Sequence, residues 1–523
     1  KRLDELELLR FLFVNKMDRA SGQVRDLLPA LQEASGTPLA LRHVPIRDGE
    51  TVVGYVDLAS ERAYVYRPGE ASERIDLPTT VADRKDEARY EMLEKMADFD
   101  DKLMEQLLED VEPPKDEIFS QLAEDFADGK LVPVLLGAAE QDAGVRRLLK
   151  ALRHEVPAAG AAAARRGVDG DGEALAQVLK TYHTARGGKL SVARVWRGSI
   201  TDGMTVNGER ISGLFSLLGQ QTEKRAEAGP GEIVALGRLE HSMTGDTLAP
   251  GKGGGMELPR AEVDQPVYAL SLVAADRNDE VKLSGAMIKL LEEDRSLRFD
   301  HQDDTNEWVL RGRGEMHLRV ATERLSNKFG LTVSTATPKV PYMEAIQKPV
   351  SQHARFKRQT GGHGQFGDVT LDIKPLHRGA GFKFENASVG GVVPKTFVPA
   401  VEAGVKDYLT KGPLGFPIVD IQVTLTDGQH HAVDSSEIAF KTAARMAMAE
   451  GVPKCSPVLL EPVLHVDIAI PSAQTAKANA LVSGRRGHIL GFDARQGWPG
   501  WDVVTAQIPE SESQDLIIEL RSL

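Results

Sequence analysis

Cysteine is almost missing from this sequence. Cys455 is the single one among 523 residues, so no disulfide forms within the chain, and in "PKCSP" it reads as a structural thiol near a turn. No Cys/His cluster has zinc spacing, and the expected metal ligands are none. Also missing is any run of eighteen or more apolar residues, which excludes a membrane-spanning helix on hydropathy. The opening "KRLDELELLR" lacks the basic, apolar and small-residue order of a secretory leader and looks like a piece of helix. These absences make the cytoplasm the expected compartment. Positive charge is in short supply too: 64 basic residues face 77 acidic ones, a formal net charge of −13. Bulk attraction to nucleic acid needs a positive surface, so any RNA contact has to be local. Finally, no G-x-x-x-x-G-K-[ST] phosphate loop occurs, so nothing in these residues cradles nucleotide phosphates or holds Mg2+.

What is present divides into several domains, as this length requires, because single hydrophobic cores stop growing well below it. Met92, Met96, Phe99, Leu103 and Leu107 recur at spacings of four and three, which predicts one long amphipathic helix. "KLVPVLLGAA" (130–139) reads as a buried strand entering a loop, and "GVRRLLKALRHEVP" as a helix packing back on it. Residues 158–172 are small, glycine-rich and aperiodic, which predicts a linker. Short strands between glycine turns follow over 174–250 and predict a small barrel, closed by "GKGGG" at 251–255. Residues 266–336 alternate strand, helix, strand, strand, helix, strand, the ferredoxin-like order. A related pattern begins at 461 and stops at "IELRSL" without a fourth strand.

Three stretches carry candidate chemistry. In "FVNKMDRA" (13–20), Asn15, Lys16 and Asp18 match a guanine-recognition loop: one carboxylate accepts both the N1 hydrogen and the 2-amino group, and adenine leaves it unpaired. Asn15 suits O6 and N7, and Lys16 the face of the base. A four-residue match arises often by chance and on its own reads as a structural loop. "LLGAA" (135–139) adds a second strand end, whose Gly137, Ala138 and Ala139 can frame the base, with the Ala138 and Ala139 amides offered to its oxygen. The second stretch, "GHGQFGDV" (362–369), fits glycine-loop patterns for dinucleotides and kinases. However, Val369, Leu371 and Ile373 alternate as in a strand, and no "HRD" or "DFG" accompanies it, so it reads as a hairpin tip. His353, Arg355, Lys357 and Arg358 approach this tip, Gly361, Gly362, Gly364 and Gly367 bare its backbone, and His363 and Gln365 add compact polar groups. Bare amides and a few cations suit RNA phosphates and 2′-hydroxyls; a solvated hairpin is the other reading, and both stand. Third, "FPIVDIQVTL" (416–425) reads as a strand with Val419, Ile421, Val423 and Leu425 inward. His430 and His431 follow in a turn before a helix that Asp434 and Glu437 open as cap and N3 partner. The histidines can stack on RNA bases or decorate a loop.

Taken in order, "FVNKMDR", "RGSITDGMTV", "MTGDTL", "GRGEMHL", "QTGGHGQFGDV", "VDSSEIAFK", "PVLLEPV" and "GRRGHI" resemble elongation factor G over nearly the whole chain. The resemblance implies a multidomain α/β and α+β protein. Residues 1–157 would be the C-terminal part of a P-loop-type GTPase domain with an insertion at about 40–130. A β-barrel at 174–250, a ferredoxin-like domain at 258–346, an RNA-probing α+β domain at 347–460 and an incomplete ferredoxin-like domain at 461–523 would follow. It implies GTP or GDP bound by Asn15, Lys16, Asp18, Gly137, Ala138 and Ala139, and catalytic residues and Mg2+ only in a longer protein. The ribosome would be the partner, met as ribosomal RNA and as messenger and transfer RNA in the decoding site. The contacts would be Gly361, Gly362, His363, Gly364, Gln365, the turn with Gly412 and Pro413, His430 and His431. It further implies a cytoplasmic monomer off the membrane that couples GTP hydrolysis to movement of tRNA and mRNA. Ribosome recycling or rescue, or ribosome binding without GTP turnover, are the alternatives. The family usually has Arg where His363 stands and Ser where Ala138 stands; these departures, and the fifth-domain helix start "PSAQTAKANALVSG", resemble elongation-factor-G-like paralogues.

Overall fold

Val132–Leu136, "VPVLL", is buried at every residue, and a strand without a wet face has to lie inside a sheet covered by helices. In the computed structural model, which describes residues 2–20, 22–67, 69–184, 188–219, 221–359 and 364–523, it is the middle of a three-stranded parallel sheet. Leu12–Val14 flanks it on one side and Leu39–Leu41 on the other, with Leu12 opposite Val134 and Leu39 opposite Val132. Helix Val24–Gln32 lays Leu28 and Leu31 on this sheet.

Between the second and third of these strands in the sequence lies an insertion. Four antiparallel strands from His43 to Ile75 pair in chain order, and three helices cover them. The expected single helix through Met92 and Leu107 is two, Ala82–Ala97 and Asp101–Leu108. Asp100 breaks the run because its carboxylate caps the second helix, accepting from the Lys102 and Leu103 amides. Met92, Met96 and Leu103 enter the core, whereas Phe99, at the break, stays exposed. The stretch 158–172, expected to be a structureless linker, contains helix Ala159–Arg165, as a run of alanines favours.

A buried ionic network ties the insertion to helix Val145–Glu155. Arg42, fully buried, donates to Glu155 at 2.8 Å; Arg147 reaches Asp57 at 3.0 Å and Glu155 at 3.6 Å. Burial raises the Asp57 carboxyl, but the Arg42 and Arg147 guanidiniums outweigh it and hold its pKa far below the usual range. His43 accepts the Leu136 amide at Nδ1 (3.3 Å), and its burial, against the pull of Asp57, pushes it down to about 3, so its ring is neutral.

The chain divides into two compact units, Lys1–Leu179 with Leu190–Pro259 and Lys180–Lys189 with Arg260–Leu523. The first also holds a six-stranded sheet whose centre is packed by Val178, Val195, Val234 and Leu236. Within the second, residues 268–336 run strand, helix, strand, strand, helix, strand in one four-stranded sheet, and residues 463–522 form a three-stranded sheet with two helices. Between them in sequence lies a mixed sheet in the order Val350–Arg358, Gln365–Pro375, Ile421–Gln429, Phe382–Asn386, covered by helices Val398–Leu409 and Glu437–Gly451. Among the described residues no helix is long and apolar enough to cross a membrane.

Replacing Glu155 with Leu strands a fully buried guanidinium and is expected to cost roughly 3–5 kcal/mol in urea unfolding, most of it recovered by adding Arg42→Met. Because His43 and Asp57 both bind protons more readily unfolded than folded, stability falls with pH in two steps: the His43 contribution is complete above about pH 6.5 and is lost as pH falls toward 3, and that of Asp57 is lost only below the ordinary carboxylate range. A His43→Gln variant should show a flatter decline in melting temperature across the first step.

Candidate functional site

Two loops at the carboxyl ends of adjacent parallel strands form the first candidate site, the position where open α/β sheets bind ligands. After Leu12–Val14 the chain turns through Lys16 in the left-handed region (φ 60°), uncommon for a non-glycine residue, into a short helical turn, Met17–Arg19. The turn is held from inside: Asn15 Oδ1 accepts the amides of Lys16 and Ala139, both at 2.8 Å, which ties the two loops together at a residue that is itself exposed. The Asp18 side chain, 13% exposed, accepts from Gln141 Nε2 at 3.2 Å, with Arg19 3.7 Å away.

The structure thus brings Asn15, Lys16, Asp18 and residues 137–139 together, but it gives the expected backbone donors other acceptors. The Gly137 amide goes to Val14 O, the Ala138 amide to Ala143 O and the Ala139 amide to Asn15. Residues 138 and 143 bridge each other, closing a loop too tight to leave those groups unpaired. Gly137 is required by close packing, since a Cβ there would come within 2.4 Å of the Phe13 ring and of Ala143 O.

The second candidate site is one end of the mixed sheet. Strands Val350–Arg358 and Gln365–Pro375 form the expected hairpin, with Arg358 opposite Gln365. Gly361, Gly362 and His363 lie outside the described residues. Gly364 does not: its amide donates to Asp434 Oδ1 at 3.1 Å, and Phe366 bridges Ser435, so residues 364–366 of the hairpin and the 430–436 turn are joined. His431 Nδ1 accepts the Val433 and Asp434 amides (3.4 and 3.2 Å), lies 3.3 Å from Asp434 Oδ2, and its ring centre is 6.2 Å from that of Phe366. The side chain remains 55% exposed. His430 donates through Nδ1 to Val392 O at 3.2 Å.

Several expectations need correcting here. Asp434 does not cap the following helix; Ser436 does, accepting the Ala439 amide, because Asp434 is spent on Gly364. Gly367 is not a bared backbone: it lies under helix Glu437–Gly451, where a Cβ would meet Ala439 O at 2.6 Å. Arg355 and His353 are both bound to the buried Asp368, at 2.5 and 3.0 Å, while their own side chains stay about half exposed; Lys357 and Arg358, nearer the tip, are exposed as well. The strand expected from 416 opens only at Ile421, since the Val419 amide is taken by Glu344 O.

Most consequential, the turn with Gly412 and Pro413 is not at this end. It precedes Ile421, which pairs with Pro375, whereas the tip follows Gln429, which pairs with Asp368. The intervening strand is about 27 Å long. That turn is built around the fully buried Glu344, whose Oε1 accepts the Leu414 and Phe416 amides at 2.9 Å. A Cβ on Gly412 would approach Glu344 Oε2 to 2.4 Å, so the glycine serves the carboxylate. The third loop at the tip is instead 387–397, which the sequence reading passed over. Phe382–Asn386 runs parallel to Ile421–Gln429 and delivers it there, with Gly390 and Gly391 both left-handed and Val389 81% exposed. The Gly-Gly pair was the available signal.

Family models match most of the chain: "Elongation factor G domain 2" over residues 173–251, "Elongation Factor G, domain III" over 263–337, "Elongation factor G, domain IV" over 338–456 and "Elongation factor G C-terminus" over 458–523. An "Elongation factor G-like protein" from Synechocystis is 50% identical over 525 residues, spanning 100% of this chain and 78% of that one. The chain belongs to the elongation factor G family. A crystal structure from Thermus thermophilus agrees with it in fold, with a TM-score of 0.80 at 33% identity, covering 99% of this chain and 77% of that protein. The three-loop tip lies wholly inside the segment matched by the elongation factor G domain IV model, whereas residues 13–19 and 137–141 precede all four matched segments.

Asp434→Ala removes the acceptor that ties the hairpin to the histidine turn. Amide exchange at residues 364–366 should quicken, with the core strand 369–373 unchanged; equal protection in both proteins would mean that Asp434 holds nothing.

Proposed function

We propose that this elongation factor G family chain works on the ribosome as part of a GTP-hydrolysing translation factor, and that the domain IV tip is its RNA-contacting surface. The convergence at that tip carries the reading. Three loops meet there, and helices Val398–Leu409 and Glu437–Gly451 both begin there, aiming the positive ends of their dipoles outward. Lys357 and Arg358 add charge, and His431 offers an exposed ring whose Nδ1 is already occupied by backbone amides, which leaves Nε2 for the partner. Such a small basic prong on an acidic chain gives the local RNA contact that a net charge of −13 demands.

The loops at 13–19 and 137–141 fit a guanine base. Asp18, mostly buried and held by Gln141, suits N1–H and the 2-amino group; the amino group of the exposed Asn15 suits O6 and N7. Bound GTP would supply the γ-phosphate whose hydrolysis, with Mg2+, would power the factor and leave GDP; the residues here would hold the base of either nucleotide and exclude adenine. In this reading residues 1–157 belong to a GTPase domain, 174–250 to the barrel, 258–346 and 461–523 to ferredoxin-like domains and 347–460 to the domain bearing the tip. The factor works as a cytoplasmic monomer.

Messenger movement and ribosome-stimulated GTP hydrolysis by the full-length protein test the proposal. Hydrolysis without movement would assign recycling or rescue, and ribosome binding without hydrolysis a binding module. Asp18→Asn should shift preference from guanine to xanthine nucleotides, measured by competition binding in the full-length protein. Removing the His431 ring with Ala should slow the ribosome-dependent step about tenfold or more while nucleotide affinity stays unchanged.

A further inference from the structure

We infer that Arg166 and Arg194, gathered on the ring of Trp196, form a binding site for a phosphoryl group on the outside of the six-stranded sheet. Trp196 and Arg194 are two apart on strand Lys189–Arg197 and so share one face, opposite the core residues Ala193 and Val195. Ala163, Val168, Leu175 and Leu258 bury the indole until 7% of it is exposed. The Arg194 guanidinium carbon lies 4.3 Å from the ring centre and that of Arg166 5.1 Å, so two cations are drawn to one aromatic quadrupole.

What this cluster lacks is an anion. No described carboxylate makes an ion pair with either arginine, although 77 acidic residues are available to the chain. Glu232, beside Ile233 on the paired strand, is committed to Arg225 (2.9 Å) and to the Gly229 amide (2.7 Å). Arg197, the next arginine along, is spent on the Glu173 carbonyl at 2.9 Å. Arg194 Nε and Trp196 Nε1 are buried without an acceptor. Burial and the Arg166 charge both push the Arg194 pKa down, as expected of a cation that has lost water and gained a like neighbour.

An oxyanion completes such a group. One guanidinium fork satisfies a carboxylate by itself, whereas two forks on separate chain segments match the several oxygens and higher charge of a phosphoryl group. Inorganic phosphate, a nucleotide or an RNA backbone can supply that chemistry. The inference rests on residues 159–258 alone and is independent of the function proposed for the tip.

The indole reports on its own site. In the full chain, tryptophan emission is titrated with inorganic phosphate and, separately, with single-stranded oligouridine, each against chloride at matched ionic strength. A saturable change is expected that disappears in Trp196→Phe, weakens about tenfold or more in Arg166→Gln, whose side chain is exposed, and persists in Arg165→Gln, its exposed neighbour. Saturation by oligouridine at far lower concentration than by phosphate assigns an RNA backbone; the reverse order assigns a free phosphate. No saturable change with either probe, or the same change in Arg166→Gln, overturns the site.

Discussion

The tip depends on how closely helix Glu437–Gly451 approaches the sheet and helix beneath it. Three glycines make that possible. A Cβ would strike Ala439 O from Gly367, Lys441 O from Gly404, and the Ile373 and Gln352 side chains from Gly451, at 2.3–2.7 Å for the nearest atom in each case. The helix answers with small residues, since Ala439, Ala443, Ala444 and Ala447 are fully buried along it. Between backbones this close, one methylene more forces a shift of the whole element. Phe397 and Phe440 then stack at 4.9 Å, so both helices begin at the same level and present their amino ends together. The position of His431 follows from that packing, because its turn is the lead-in to the helix.

Charge is handled differently in the interior and at the surface. Between the insertion and helix Val145–Glu155, Arg42, Arg147, Asp57 and Glu155 neutralise one another out of water, and burial beside them keeps His43 uncharged. Such networks cost desolvation, so removing one partner costs more than the intact network contributes. Toward the tip Asp368 offsets the charge of Arg355 and His353, whose side chains stay about half exposed, and Asp434 is used to join two loops. A count of basic residues near a loop therefore overstates its charge; what remains accessible after internal pairing is what a partner meets.

Local pattern revealed much of this in advance. Alternation at Val369, Leu371 and Ile373 marked a strand, and all three are fully buried. The nearness of the "FVNK" loop to "LLGAA" was legible because each follows an apolar run, and such runs pair as parallel strands. The helix through Met92 was harder, because spacings of four and three continue across Asp100, and only the capping bonds show that the chain starts afresh there. The Ala138 and Ala139 amides were misjudged for a related reason: whether an N–H is free depends on which acceptor the fold carries to it, and Asn15 lies 124 positions from Ala139.

Sequence by itself determined most of the strands and helices, the elongation factor G kinship and the residue types suited to a guanine edge and an RNA tip, because periodicity and motif are properties of neighbouring residues. Only tertiary structure decided which loops share an end of the mixed sheet. Gly412–Pro413 and Gly390–Gly391 look equally suited to a tip when read along the chain. The direction of strand Phe382–Asn386, parallel to Ile421–Gln429, carries the second pair to His430, and a buried Glu344 draws the first to the opposite end. Strand direction and the burial of one carboxylate are long-range outcomes of packing, and no local pattern encodes them.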